Sequence, residues 1–590
     1  MTSATLHERA EAWIADDPDS ATRDELRAVL AADSAGDADA GDDLADRFNG
    51  TLQFGTAGLR GRIGAGPNRM NRAVVIRAAS GLAAYLTDAL GELGVDGPAR
   101  VVIGYDARYG SHDFAVDTAA VMVAAGHEAL LLPGALPTPV LAYATRALEA
   151  DAGVMVTASH NPPQDNGYKV YLGGRVVSDS GQGAQIVPPY DAAIASRIEA
   201  VTTVSSVARA AEGWTMVEQS VISKYVEQMA ALAGPVDGKE TERAGVRIVL
   251  TPLHGVGGTT VTAALEAAGF SDLHTVPEQA EPDPRFPTVD FPNPEEKGAI
   301  DLALALARSV GADVVIANDP DADRCAVATI IDGEWTMLHG DVVGSLLGER
   351  MASRLSGGAP SDAAQSDAAH SGASHDRAEG VLANSIVSSQ QLSTIAARYG
   401  LTHRNTLTGF KWIAREEGLV YGYEEALGYC VAPDLVRDKD GISAAVLMAD
   451  FVAELKAAGR TLSDAIDDLA RAYGVYLTRQ VSARFADVTL IGETMTRLLS
   501  APPATLGGAQ VTATDDMSKG LNGLPGTTGL HLATASGARV IIRPSGTEPK
   551  VKAYLEVIQS VDGEDVAGAR AAAGLAMDAL EADVREALGL

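Results

Sequence analysis

The sequence predicts three α/β domains of related build followed by a small α+β domain. Three observations carry that expectation. Short apolar runs alternate with longer helical stretches, the alternation returns at wide spacing along the chain, and the C-terminal end changes to closely spaced, alternating strand-like runs. The 590 residues, at roughly 150 per domain, agree with about four domains and can bury sizeable cores.

Residues 1–45 carry helical patterns and then an acidic turn, SAGDADAGDD, and read as a helical extension on a first domain spanning 1–208. Within that domain VVIG at 101–104 is strand-like, 114–125 is an alanine-rich helix, and ALLL at 129–132 and GVMV at 153–156 are strand-like again. This is the pattern of βαβ units around buried, largely parallel strands. The rhythm recurs in 209–333: VRIVL at 246–250, a Gly-rich turn, helical stretches at 259–268 and 300–310, and ADVVI at 312–316. A third copy runs through 380–407 inside a domain assigned to 334–480, and no short-period repeat is present. In that domain residues 356–380 are Ser/Ala/Gly/Asp-rich with almost nothing apolar larger than Ala, and are expected to form a disordered surface insertion. Its His370 and His375 read as solvated, because no third ligand is nearby. The last domain, 481–590, shows QVTAT at 510–514, GLHL at 529–532, ARVII at 538–542 and VKAYLEV at 551–557, closed by a helix over about 565–588.

Composition narrows the function. Against 78 Asp and Glu stand 46 Lys and Arg, and the formal charge of −32 repels nucleic acid phosphate and anionic lipid. No nucleic-acid or membrane partner is expected, and any anionic ligand needs a local cationic pocket. Two cysteines, Cys325 and Cys430, argue for a reducing compartment and against a disulfide scaffold or a zinc cage. The N-terminus lacks a cationic flank with an apolar core, no apolar run is read as long enough to span a membrane, and a cytoplasmic location is expected.

Two constellations carry chemistry. TASHNPP at 157–163 follows an apolar strand, which places Ser159 on a loop at the C-terminal end of a parallel strand, where open α/β sheets bind ligands. Two prolines stiffen that loop. Adjacent Ser159 and His160 are not expected to hydrogen-bond as nucleophile and base, so a hydrolase triad is not favoured. The second is NDPDADR at 318–324, again after an apolar strand. In a straight strand Asp319, Asp321 and Asp323 would stand about 6.6 Å apart, too far to share one ion, so the chain must curve at Pro320 and Ala322. Three convergent carboxylates raise one another's pKa unless a cation compensates, and Mg2+ is the natural occupant. An EF-hand is excluded, because its Gly and terminal Glu are absent. HGVGG at 254–258 is only a weak nucleotide-loop signal.

TASHNPPQDNGYKVY, NDPDADR and RPSGTEPK together resemble the α-D-phosphohexomutases, the phosphoglucomutase and phosphomannomutase superfamily. The likeness extends through GTAGLRG (55–61), TPLHGVGG (251–258), TGFKWI (408–413) and YEEALGY (423–429), in family order from about residue 50 to the end. It is similar above all to the branch with phosphopentomutase and glucose-1,6-bisphosphate synthase activities. The resemblance implies four domains round one cleft, in a monomer or weak homodimer, acting on small sugar phosphates with one Mg2+ per site and a sugar bisphosphate as intermediate and activator. It implies that Ser159 is the phosphorylated serine and, with Asp319, Asp321 and Asp323, a metal ligand. Lys169 matches the proposed general base, His160 and Arg60 lie in active-site loops, and Arg324 would contact the serine phosphate. Thr408, Gly409, Lys411 and Glu424 match sugar-contacting positions, and Arg543, Ser545, Gly546 and Thr547 the loop for the non-transferred phosphate. One departure stands out: where many hexose mutases read Glu-x-Ser, this chain reads Glu424-Glu425-Ala426. The expected reaction interconverts a sugar 1-phosphate and 6-phosphate, glucose first, with mannose and pentose as alternatives. A metal-dependent phosphatase and a non-catalytic sugar-phosphate binder are the rivals from other classes.

Overall fold

A computed structural model describes residues 5–56, 58–235, 238–356, 380–485, 489–544 and 550–590. The chain forms two compact units, one of Met1–Thr329, Trp335–Met337 and Gly428–Ala457, the other of Ile330–Glu334, Leu338–Leu427 and Ala458–Leu590. All but the two end residues of the expected insertion lie outside the described residues.

The first unit opens with three helices, Leu6–Asp16, Ser20–Ser34 and Ala38–Arg47, packed on Ala10, Leu26, Leu44, Phe48 and Ala65. The acidic stretch expected as a turn is one only up to Asp37. That carboxylate accepts the N–H groups of Asp39 and Ala40, and the chain is helical from Ala38, because acidic side chains suit the positive end of a helix.

The following sheet runs in the order Leu59–Arg62, Asp165–Leu172, Ala152–Val156, Arg100–Tyr105, Glu128–Leu131, Thr215–Met216. Its last four strands are parallel, as the βαβ pattern requires. Asp165–Leu172 returns antiparallel to Ala152–Val156, with Lys169 opposite Met155, so the serine loop is the tip of a hairpin. The helix Arg72–Glu92 does meet the length and apolarity of a membrane span, against the expectation. Here it is a core helix: Val75, Ile76, Leu82 and Leu86 are buried, and it packs on the helices Ser111–Ala124 and Tyr190–Glu199.

A second sheet, in this unit apart from Ile330, Ile331 and Glu334, repeats the design. Its order is Glu334–Met337, Cys325–Ile331, Val314–Asn318, Arg247–Thr251, Asp272–Thr275, with the last three parallel. Cys325–Ile331 turns back antiparallel on Val314–Asn318, Asn318 facing Cys325, so the acidic loop is again a hairpin tip. The apolar helix Gly441–Ala457 packs on Gly257–Ala267 and Gln219–Ala231. Cys325 and Cys430 are both free and buried.

In the second unit, Thr402–Thr406, Val381–Ser385 and Leu419–Glu424 lie side by side in parallel. The C-terminal sheet is antiparallel from Val475–Arg484 through Lys550–Gln559, Arg539–Pro544 and Leu530–Thr534 to Ala509–Asp516. The helix Val566–Leu588 covers it through Ala573, Met577, Leu580 and Val584. Val475–Arg484 carries residue 481, the expected start of this domain, inside a strand.

Candidate active site

The two hairpin tips meet within the first unit. Ser159 is 3% exposed and sits at φ +52°, and its hydroxyl donates to Asp319 Oδ2 at 2.7 Å. The left-handed backbone also brings Ser159 Oγ to 3.2 Å from His160 Nδ1, a contact that the sequence reading did not expect between neighbours. In an extended strand the two side chains would point apart, and the positive φ removes that separation. Burial, and after it Arg324 and Arg60, hold His160 well below the ordinary histidine range, so it is neutral.

The acidic loop curves as expected, with Ala322 at φ +53° and its N–H on the Asp319 carbonyl at 2.8 Å. Asn318 Nδ2 closes the turn on the Arg324 carbonyl at 2.7 Å. One oxygen of each of Asp319, Asp321 and Asp323 lies within 4.8 Å of the others, and all three residues are at most 1% exposed. Three glycines let this loop fit. A Cβ at Gly255 would lie 2.3 Å from Pro320 Cα, at Gly257 2.6 Å from Ala322 Cβ, and at Gly441 2.1 Å from the Arg324 carbonyl oxygen. The HGVGG turn is therefore the wall of the acidic loop, and its glycines serve close packing.

Cations answer the three carboxylates. Lys169 Nζ stands 2.7 Å from Asp321 Oδ2 and 2.9 Å from Asp323 Oδ2, and Lys439 Nζ 3.2 Å from Asp323 Oδ2. Arg324 Nε is 3.9 Å from Asp319 Oδ2 and 3.8 Å from Asp323 Oδ1. Burial, reinforced by Asp321 and Asp323, pushes Asp319 well above the usual carboxylate range. Burial also opposes ionisation of Asp323, but Lys169, Lys439 and Arg324 outweigh it and hold its pKa far down. Asp321 ends lowered too, with burial and Asp323 opposed by Lys169 and by the Thr138 hydroxyl. Burial works against the Lys169 ammonium, yet Asp321 and Asp323 raise its pKa above the ordinary lysine value. As it stands Lys169 is a cation, whereas a base needs the reverse shift.

The donor set fits a hard divalent cation: three buried carboxylates converge, and Asp321 Oδ1 is buried without a hydrogen-bond partner among the described residues. Arg60, on the strand Leu59–Arg62, donates to Asn161 Oδ1 at 3.2 Å beside Ser159. Thr138, Arg108, Lys439 and Asp438 were missed by sequence reasoning. Asp438 accepts Tyr171 OH at 2.7 Å and Gln185 Nε2 at 2.8 Å, and lies 3.6 Å from Lys439 Nζ. The only signal for this group is the charged run RDKD at 437–440 directly ahead of an apolar helix.

The remaining expected residues fall in the second unit. Arg543 Nη1 donates to the Thr408 hydroxyl, which brings a proposed phosphate residue and a proposed sugar residue together. Gly409, at φ +105°, precedes the short helix Phe410–Ile413 that carries Lys411. Glu424 ends the strand Leu419–Glu424, and the next carboxylate, Glu425, accepts the hydroxyls of Ser385 at 3.1 Å and Ser388 at 2.8 Å. Ser545, Gly546 and Thr547 lie outside the described residues.

Comparison with known proteins matches four consecutive family descriptions, all phosphoglucomutase/phosphomannomutase: alpha/beta/alpha domain I over 51–204, domain II over 223–330, domain III over 363–473 and the C-terminal domain over 524–573. The chain is 44% identical over 490 residues to a Haemophilus influenzae protein named "Probable phosphomannomutase", covering 82% of this chain and 93% of that one. It is 32% identical to the human phosphopentomutase over 94% of this chain and 92% of that one. Among solved structures, the phosphoglucomutase parafusin of Paramecium aligns with a TM-score of 0.62 at 17% identity, over 92% of this chain and 96% of that one, which shows the shared fold.

Proposed function

The chain belongs to the phosphoglucomutase/phosphomannomutase family, and from that premise we propose that it moves a phosphoryl group between the 1- and 6-hydroxyls of a hexose phosphate through a phosphorylated Ser159. Such enzymes are phosphosugar mutases, a class of isomerase. The single observation that carries the reading is the Ser159 hydroxyl on Asp319 Oδ2 at 2.7 Å, a group carrier seated on a buried three-carboxylate site.

In the first half-reaction the P–Oγ bond of phosphoserine 159 breaks as a sugar hydroxyl oxygen bonds to phosphorus, leaving a sugar bisphosphate. In the second half-reaction the other phosphoryl group of that bisphosphate returns to Ser159 Oγ, so that no water or redox partner is consumed. Asp319, Asp321 and Asp323 would hold Mg2+, which neutralises charge on the transferring group. Arg324 and Arg60 add positive charge at the same place. Lys169 accepts the proton of the attacking sugar hydroxyl only as a neutral amine freed from Asp321 and Asp323, and in the second half-reaction, when Ser159 Oγ attacks, its ammonium returns that proton to the departing sugar oxygen. Thr408, Gly409, Lys411 and Glu424 are assigned to the sugar, and Arg543, Ser545, Gly546 and Thr547 to the phosphate that stays. The reading includes a monomer or weak homodimer in the cytoplasm, with sugar bisphosphate as activator.

Glucose 1-phosphate is the lead substrate. A pentose 1-phosphate is the second reading, supported by the absence of a serine hydroxyl at Ala426 and by relatives named phosphopentomutase that match over most of their length. The test is a mutase assay across glucose, mannose and ribose 1-phosphates, together with the intact mass of the protein. Ser159→Ala should abolish turnover and the 80-dalton-scale phosphate adduct while leaving the fold intact, roughly the loss seen when a covalent carrier is removed. Turnover at the wild-type rate in that variant would refute the carrier role.

A further inference from the structure

We infer that Arg108 is the positioning residue for the phosphoryl carrier, holding the Ser159 loop in the left-handed turn that aims the hydroxyl at Asp319. The inference rests on the mutase reading of that site. Arg108 follows the strand Arg100–Tyr105, the parallel neighbour of the strand that leads into Ser159, and is 4% exposed. Its Nη2 donates to the carbonyls of Ser159 at 2.7 Å and Asn161 at 2.5 Å, and its Nη1 to those of Pro162 at 2.8 Å and Asp165 at 3.1 Å. A guanidinium has five N–H donors; four are used on these carbonyls, and Nε pairs by charge alone with Asp106 Oδ2 at 3.4 Å. Asp106 is itself fixed through Oδ1, which accepts the Ser111 hydroxyl at 2.6 Å and the Arg108 backbone N–H at 2.9 Å. The flat face of the guanidinium is covered by the Phe286 ring, 4.9 Å to its centroid.

A non-glycine residue at positive φ persists only where its surroundings dictate it. Ser159 is such a residue, and Arg108 binds its carbonyl and three further carbonyls of the same hairpin tip. A lysine could supply the charge but not a planar fork reaching four acceptors. The serine hydroxyl is paired with Asp319 and His160, whereas Arg108 binds the Ser159 carbonyl. Its effect therefore falls on how well Oγ and its phosphoryl group are aligned, and leaves the sugar-binding residues untouched.

Turnover of glucose 1-phosphate with glucose 1,6-bisphosphate present, read beside the phosphate content of Ser159 by intact mass, tests this. Arg108→Lys is expected to lower kcat about a hundredfold, the effect of a roughly 1 Å misplacement of a reacting group, with KM within about threefold of wild type. Loading of Ser159 by the bisphosphate should slow in step. A kcat within about threefold of wild type, or a loss confined to KM, overturns the inference. Should Arg108→Lys fail to fold, Phe286→Leu decides, because it keeps the four hydrogen bonds to the hairpin carbonyls and removes only the ring. A loss of kcat of about fivefold or more at constant KM supports the inference, and an unchanged kcat overturns it. A wild-type protein that turns over none of the glucose, mannose and ribose 1-phosphates refutes the mutase reading and this inference with it, whereas an active wild type with an equally active Arg108→Lys refutes the inference alone.

Discussion

Thr138 grips Asp321 at both ends: its hydroxyl donates to Asp321 Oδ2 at 2.6 Å and its N–H donates to the Asp321 carbonyl at 2.9 Å. One residue at the start of the helix Thr138–Ala147 thereby fixes the middle carboxylate of the acidic loop, 183 positions later in the chain. Thr138→Val keeps shape and volume but removes the hydroxyl. It should lower turnover about tenfold or more and weaken Mg2+ activation, since a buried carboxylate loses a charge-assisted hydrogen bond worth roughly 1.5–3 kcal/mol. Kinetics titrated with Mg2+ check this, and wild-type behaviour in both measurements would deny Thr138 any part in orienting the loop.

Asp321→Asn tests the metal assignment without relying on activity. A cation that binds only the folded state stabilises it by about 2.7 kcal/mol at a hundredfold excess over its dissociation constant. The wild-type protein should therefore melt several degrees higher in saturating Mg2+, and the variant should lose most of that shift, because Asp321 is the buried middle carboxylate of the triad. An equal Mg2+ shift in both proteins would place the ion elsewhere.

The chemistry-bearing loops were legible because each is a short polar string directly after a buried strand, and the strands Ala152–Val156 and Val314–Asn318 are apolar at almost every position. What escaped was through-space. Thr138, at the start of a helix, and Arg108 reach the site from elsewhere in the chain with no local sequence pattern to mark them, and Lys439 is marked only by the charged run RDKD. The hydrogen bond between Ser159 and His160 depends on a positive φ that a serine does not advertise. The protonated state of Lys169 also could not be read from spacing, because it comes from Asp321 and Asp323, more than 150 positions away. The strand Val475–Arg484 was missed because its apolar residues are broken by Thr478, Arg479 and Gln480, and only Val481 and Ala483 on it are fully buried.

Asp440 gives the protein a pH-dependent stability that can be isolated. Burial raises its pKa to about 6, against the N–H groups of Ser443 and Ile442 and the Tyr225 hydroxyl that favour the carboxylate. An unfolded aspartate titrates near 3.9, so between about pH 4 and 6 the folded state holds the proton more tightly than the unfolded state. The contribution is present below about pH 4 and is lost as pH rises to about 6, on the order of 2–3 kcal/mol. Asp440→Asn cannot ionise, and its amide can still accept the two N–H groups and donate to Tyr225. Denaturant titrations from pH 4 to 7 should show the variant gaining stability relative to wild type across that window, with a constant difference above it. Parallel curves for the two proteins would assign the slope to other groups.

Sugar preference can be tested at Ala426. The residue before it, Glu425, is held by the hydroxyls of Ser385 and Ser388, and the residue after it, Leu427, is buried at φ +63°. Gly340 seals the same turn, since a Cβ there would lie 1.8 Å from the Glu425 carbonyl oxygen. Position 426 is therefore fixed between two anchored neighbours, and a hydroxyl placed on it would be offered from one defined point. A neutral hydrogen bond to a ring hydroxyl is worth about 0.5–1.5 kcal/mol, or roughly two- to tenfold in rate. Ala426→Ser should raise the hexose-to-pentose ratio of kcat/KM by about that factor if the turn faces the sugar, with melting temperature unchanged because the site is only half-buried. The ratio is measured with glucose, mannose and ribose 1-phosphates under one set of conditions, so errors in enzyme concentration cancel. An unchanged ratio would move the preference to the turn Thr408, Gly409 and Lys411, whose geometry is set by the hydrogen bond from Arg543 to Thr408 and by the positive φ of Gly409.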